Sequence, residues 1–341
     1  MLACRIHAKE DLRVEPVDTP EVGPGQVLLR LGAAGICGSD IHYYFDGRNG
    51  SFVVREPLIP GHEASATVAA VGPGVSRVKV GDKVAVSPSH ACGQCDYCRE
   101  GREQLCRKMR FLGSASLFPH VQGMFSEFFV MGERQCYPVG GDVTLGELAF
   151  AEPLAVALHA VKRGTDLVGK SVLITGAGTI GCLTVIAARL AGARSVTVSD
   201  ILDRPLAQAR EVGADRTIRA DREADALATP QFDVCFEVSG SFVALKACVA
   251  AAKKGARIVQ VGTLPHEPLP FVVNELMAKE LDLCGAFRWG IEFDWAVAYL
   301  STRRVDVRPL ISGQFPLRDA VKAFELAKDK TQSTKVQIVC A

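Results

Sequence analysis

Hydrophobic and polar positions follow two textures along this chain. Over residues 1–147 short apolar runs are cut repeatedly by glycine and proline, with little helical periodicity. Runs at 26–31, 64–71 and 83–87, separated by Gly72-Pro73-Gly74 and Gly81-Asp82, read as strands of a compact all-β barrel or sandwich. From about residue 148 the texture changes. A helix is predicted at 152–163, then strands at 171–175, 195–199, 216–219, 233–238, 257–261 and 281–284. Helices at 179–191, 204–212, 242–253 and 274–279 alternate with them, which implies a parallel sheet covered on both faces. Near residue 290 the pattern shifts again, to amphipathic helices at 293–300 and 317–327 and a strand at 335–339. In the second helix Leu317, Ala320, Val321, Phe324 and Ala327 keep helical spacing.

A length of 341 residues suits about two domains, and 48% hydrophobic residues suits a globular protein rich in buried strands. The net charge of +1 argues against nucleic acid or a membrane surface as partner. The opening residues lack the apolar core of a signal peptide, and no uncharged run approaches membrane-spanning length, so a cytoplasmic protein is expected. Twelve cysteines in such a chain point to metal binding and reduced core thiols rather than disulfides. Cys4, Cys136, Cys182, Cys235, Cys248, Cys284 and Cys340 lie mostly in apolar surroundings and read as core residues.

The candidate chemistry starts at Gly35-Ile36-Cys37-Gly38-Ser39-Asp40-Ile41-His42, where a strand breaks into a turn. Ser39 is expected to cap a short helix over 39–45 that Gly47 ends. Cys37 alone would be an ordinary buried apolar residue. Together with His62, Glu63 and Glu152 it offers the thiolate, imidazole and carboxylate donors that hold a catalytic zinc with one position open. Cys92, Cys95, Cys98 and Cys106 offer four soft donors in one loop, enough to close a structural zinc site. An iron–sulfur cluster uses similar spacings. A third feature is the run Val172 to Gly181, a buried strand entering a glycine-rich turn and a helix. Gly176 permits the turn, Gly178 the approach of a pyrophosphate and Gly181 close helix–strand packing. Asp200 ends the next strand about twenty residues later, where a carboxylate binds ribose hydroxyls and favours NAD over NADP. Arg194 and Arg204 nearby leave the preference incomplete.

With these residues assembled, the chain resembles the zinc-dependent medium-chain dehydrogenase/reductase family over essentially its whole length. The carriers are Gly61-His62-Glu63 followed by Gly72, the four-cysteine lobe, and the glycine turn with Asp200, in family order. Ala66 departs from the usual glycine of the zinc signature. Glu152 stands where many alcohol dehydrogenases have a cysteine ligand, which suggests the polyol branch.

The resemblance implies an α/β fold: a discontinuous GroES-like β-rich catalytic domain over 1–150 and 290–341, and a Rossmann domain, a doubly wound parallel sheet, over 151–289. It implies two zincs per chain and NAD. The catalytic zinc would be held by Cys37 and His62 with Glu63, Glu152 or both, and Asp40 would fix the His62 tautomer. It further implies NAD-linked oxidation of a secondary alcohol of a sugar acid or polyol to a ketone. Ser39 would take the alcohol proton and pass it through the cofactor ribose to His42. Thr179, Ile180, Arg204, Ser239, Gly262 and Phe287 would join the glycines and Asp200 around the cofactor. Tyr43, Arg110, Phe111 and Arg288 would face the substrate, and Arg110 or Arg288 (His120 less readily) would grip a sugar-acid carboxylate. A homo-oligomer, dimer or tetramer, is implied, with no nucleic-acid or membrane partner. The competing reading is a zinc- and nucleotide-binding protein without catalysis.

Overall fold

The computed structural model describes residues 1–265, 267–271 and 273–340. Contacts divide the chain into two units. The first comprises Met1–Glu152, Phe293–Asp329 and the stretch from Lys335 onward; the second comprises Pro153–Glu292 and Lys330–Thr334.

The first unit is built on a seven-stranded sheet. Its order is Cys136–Val139, Lys83–Val86, Glu63–Val71, Gln26–Gly35, Lys335–Val339 and Ile311–Pro316, and Phe128–Gly132 also pairs with Gln26–Gly35. All pairings are antiparallel except the last, Ile311–Pro316 with Lys335–Val339. Along Gln26–Gly35 burial alternates, with Val27, Leu29 and Leu31 inside, as a strand with one covered face requires. Phe125 lies fully buried against Phe324 of the helix Ala320–Lys328, edge to face at 5.9 Å. Register then positions chemistry: Gly35 stands opposite Glu63 on one side and Gln337 on the other.

The second unit is a six-stranded, wholly parallel sheet. Its order is Arg216–Arg219, Ser195–Asp200, Ser171–Thr175, Phe232–Glu237, Ala252–Gln260 and Asp282–Gly285. Every residue of Ser171–Thr175 is buried, which is why this strand reads as an unbroken apolar run. The strand order reverses direction between Ser171–Thr175 and Phe232–Glu237, and in such sheets ligands bind at the carboxyl ends beside that reversal.

Several elements differ from the sequence expectation. Leu317–Asp319 is a separate 3-10 turn, entered from Pro316, and the α-helix starts only at Ala320. The helix from Phe242 stops at Ala251, because Ala252 already belongs to the next strand. Leu2–Ala8, Asp11–Pro16 and Ile311–Pro316 are strands that the apolar pattern does not announce. The last holds Gly313 and Pro316 and forms a sheet edge, where such residues are tolerated. No helix among the described residues is long and apolar enough to cross a membrane.

Candidate active site

The strand Gln26–Gly35 delivers the chain to Cys37, which is the residue before the helix Gly38–Asp46. Ser39 therefore lies inside the first turn and is not the cap; the fixed points are Cys37 and Asp40. The helix ends, as expected, on Gly47 in the left-handed region at φ 70°. Asp40 is fully buried, and its carboxylate accepts from the Cys37 N–H at 2.9 Å and from the Gly61 N–H at 3.1 Å. One side chain thus pins the two loops that carry Cys37 and His62. Gly61 has φ 93°, and a Cβ there would lie 2.5 Å from the Phe125 ring, so glycine is required on both counts.

The donor atoms of Cys37, His62 and Glu63 all lie within 4.8 Å of one another. His62 is buried, with its Nδ1 facing Asp40 Oδ1 at 3.6 Å, too long for a hydrogen bond but close enough for strong electrostatic coupling. Glu63 is held by Lys335, whose Nζ reaches both carboxylate oxygens at 2.8 and 2.6 Å. Glu152, at the start of the helix Ala151–Arg163, is buried too. Its carboxyl is pushed up to about 8, by burial first and by the Glu63 charge, against the pull of His62. Burial would push the His62 imidazole down, yet Asp40 and Cys37 hold it well above its ordinary range. The thiol, imidazole and carboxylate of Cys37, His62 and Glu63, so placed, form a donor set that fits zinc, and Glu152 is coupled to it through His62 and Glu63.

The four loop cysteines also converge, with all four sulfurs within 4.8 Å of one another. Cys92 and Cys98 are 4.0 Å apart and Cys95 and Cys98 3.5 Å. Cys106 Sγ accepts from the Cys92 and Lys108 N–H groups. Backbone N–H groups of Gln94 and Cys95 pull the Cys92 thiol down to about 6. Four sulfurs at tetrahedral spacing leave no open position, which is the chemistry of a structural zinc.

In the second unit Gly176 follows Ser171–Thr175 with φ 95°, and a Cβ on Gly181 would lie 2.0 Å from the Gly176 carbonyl oxygen. Strand and helix approach this closely only with both glycines present. Gly178 immediately precedes the helix Thr179–Leu190 and supplies no side-chain cap to its first turn, the end of a helix that favours a phosphate. The Thr179 hydroxyl is committed to the Thr334 carbonyl at 2.7 Å, and an Arg204 nitrogen donates to the Thr334 hydroxyl at 3.0 Å. Ile180 is the second residue of that helix. Asp200 Oδ2 accepts from the Ala177 N–H at 2.7 Å and Oδ1 from the Leu202 N–H at 3.0 Å. Ser239 and Gly262 surround the buried Glu237, which accepts from Ser239, Gly240 and Gln260. Phe287 is 59% exposed, and the Arg288 guanidinium lies 4.7 Å over its ring.

The remaining predicted residues scatter. His42 is exposed and pairs with Asp46 one turn along the helix, Nδ1 to Oδ2 at 2.8 Å. Tyr43 is buried, and its hydroxyl accepts from the Ala115 N–H at 3.1 Å. Phe111 lies 5.5 Å, ring to ring, from His62. Arg110 precedes it on the two-residue strand Arg110–Phe111 and is exposed; neighbouring strand residues point to opposite faces. Sequence reasoning missed Lys335, Asp46 and Glu237. A charged residue opening the mostly apolar terminal strand is the one sign of Lys335 in the sequence.

Residues 23–141 match the alcohol dehydrogenase GroES-like domain, and residues 179–302 match the zinc-binding dehydrogenase domain. L-idonate 5-dehydrogenase (NAD(P)(+)) of Escherichia coli is 39% identical over 92% of this chain and 91% of its own. Sorbitol dehydrogenase of Gallus gallus is 35% identical over 99% and 96%. The crystal structure of L-idonate 5-dehydrogenase from Escherichia coli superposes with a TM-score of 0.93 at 37% identity, covering 99% of this chain and 98% of that one. With both domain families matched and relatives aligned over nearly its full length, the chain belongs to the zinc-dependent medium-chain dehydrogenase/reductase family, in its polyol dehydrogenase branch.

Proposed function

We propose that this protein oxidises a secondary alcohol of a sugar acid or polyol to the ketone with NAD, and that its substrate is L-idonate, converted to 5-keto-D-gluconate. One observation carries the reading: the thiol, imidazole and carboxylate donors of half-buried Cys37 and buried His62 and Glu63 lie within 4.8 Å of one another, with a second buried carboxyl, Glu152, coupled electrostatically to His62 and Glu63. Zinc, when bound, supplies Lewis acidity that lowers the pKa of a bound hydroxyl into the neutral range, and bound NAD supplies the hydride acceptor. Cys37 and His62 would hold the metal with Glu63, Glu152 or both, and Cys92, Cys95, Cys98 and Cys106 would hold a second zinc. Asp40 fixes both loops, and its carboxylate lies 3.6 Å from the His62 ring. Ser39 Oγ takes up the alcohol proton, and exposed His42, oriented by Asp46, releases it to water. Asp200, Gly176, Gly178 and Gly181 bind the dinucleotide; a carboxylate oxygen that accepts one backbone N–H still has a lone pair for a ribose hydroxyl. The reaction belongs to the cytoplasm, and the enzyme to a homo-oligomer.

Idonate differs from sorbitol in carrying a carboxylate, and a site tuned to it needs a cation. The candidates are Arg110, exposed on the strand that carries Phe111, and Arg288, which has φ 55° and lies over the Phe287 ring. A charge-assisted contact contributes ~1.5–3 kcal/mol, or roughly ten- to a hundred-fold in kcat/KM. The test presents zinc-loaded protein with NAD and a panel of idonate, sorbitol and xylitol, following NADH absorbance. Idonate is expected to give the highest kcat/KM, and one of Arg110→Ala and Arg288→Ala to lose idonate activity while sorbitol activity survives. The sorbitol reading, supported by relatives aligned over 99% of the chain, is favoured if sorbitol outruns idonate. If NAD binds and no alcohol reduces it, the enzyme reading fails.

A further inference from the structure

The Glu63–Lys335 pair is an ion pair with almost no solvent contact: the side chains are 2% and 4% exposed. The Lys335 ammonium has three protons. Two go to the Glu63 oxygens at 2.8 and 2.6 Å and the third to the Ile36 carbonyl at 3.1 Å, one residue before Cys37. The arrangement is built in from the backbone side as well. A Cβ on Gly35 would lie 2.1 Å from Glu63 Oε2, so the glycine leaves the carboxylate its place. Glu63 thus stands between two claims, the lysine behind it and the donor group formed with Cys37 and His62.

We propose that Lys335 is a positioning residue that holds the Glu63 carboxylate in competition with the metal, and so sets how quickly zinc leaves the Cys37–His62–Glu63 centre. This rests on reading that centre as a zinc site. Asp40 and Glu63 are buried beside the donors of Cys37 and His62, and the Lys335 ammonium is the cation set directly against the Glu63 carboxylate. Its position decides where that charge acts. By occupying both oxygens of Glu63, the ammonium weakens this carboxylate as a metal donor and keeps zinc more electron-poor. With the lysine removed, the metal is the cation left for a carboxylate that cannot reach water, and its grip tightens. A structural role alone predicts the opposite, a looser centre.

Zinc-loaded full-length protein is challenged with the chelator dipicolinate, and zinc loss is followed with a metallochromic indicator. Cys37→Ser identifies the phase that belongs to this centre. Lys335→Met is expected to slow that phase by about tenfold or more, as the gain of one charge-assisted contact allows, while Lys335→Arg stays near the wild-type rate. Glu63→Gln/Lys335→Met is expected to release zinc at the Glu63→Gln rate, because the lysine acts through this carboxylate. Release from Lys335→Met at or above the wild-type rate overturns the proposal, as does a double variant that departs from Glu63→Gln. Should Lys335→Met fail to fold, Glu63→Gln decides: a change in release rate under about threefold supports a carboxylate held back by the lysine, and a larger one overturns it. Wild-type protein with a single zinc that Cys37→Ser does not disturb refutes the zinc-centre reading itself, and this inference with it. Two zincs with an unaltered Lys335→Met phase refute the lysine inference alone.

Discussion

At the scale of single residues, Asp200 does two things with one carboxylate. It holds the Ala177 N–H of the glycine turn and the Leu202 N–H beyond its own strand, and in the proposed function its remaining lone pairs would serve a ribose. Asp200→Ala is expected to weaken NAD by about tenfold or more, the value of lost hydrogen bonds to a charged group, and to improve NADP relative to NAD. Asp200→Asn should keep the turn and lose less. Cofactor titrations by fluorescence check both, and an unchanged NAD/NADP ratio would mean that the carboxylate serves the turn only. Donor identity is legible in the sequence alone. Cys37, His62 and Glu63 are distinctive types beside glycines, and the structure brings them together. Lys335 is not legible there, because its partner lies 272 positions away and only the register of three strands makes them meet.

At the scale of elements, the helix Ala151–Arg163 is tied near its end to Glu292, the first residue of the helix Glu292–Ser301. Glu292 is 1% exposed and meets Lys162 Nζ at 2.8 Å and His159 Nδ1 at 3.3 Å. Burial pushes its carboxyl up, but His159, Lys162 and the Gly290 N–H prevail and bring it down to about 2. A depressed acid stabilises the fold above its unfolded pKa near 4.5, and that stability is lost as pH falls toward about 2. The contribution stays below roughly 3 kcal/mol, because half-exposed Lys162 is screened by water. Glu292→Gln should therefore cost stability near neutral pH, and the gap to wild type should close on acidification. Urea melts at a series of pH values check this; a gap that persists at the acid end would assign the effect to packing. Helices and parallel strands of the second unit are legible because 3.6-residue spacing and buried apolar runs leave strong traces. Strands such as Asp11–Pro16 are hidden because their residues are mostly half-buried or exposed and polar.

At the scale of the whole molecule, two groups of candidate metal ligands of different chemistry lie in the first unit, one of four sulfurs and one of mixed donors. Metal analysis is expected to find two zincs per chain. A chelator should strip the mixed centre first and abolish activity, and the four-sulfur zinc should leave mainly when the protein unfolds. Iron, or one zinc, would contradict this. The alternation of textures along the chain is enough to separate a β-rich unit from a parallel-sheet unit. What it cannot convey is that Lys335–Val339 lies inside the first unit's sheet, between Gln26–Gly35 and Ile311–Pro316. That placement has a consequence during synthesis. Residues 1–152 leave the ribosome first, yet they lack a central strand and the partner of Glu63 until residue 335 has followed them. The parallel sheet, complete by Gly285, can form while that gap is still open. The centre at Cys37 is thus among the last parts of the chain to mature, and zinc offered earlier meets thiols and carboxylates that have not yet been drawn together.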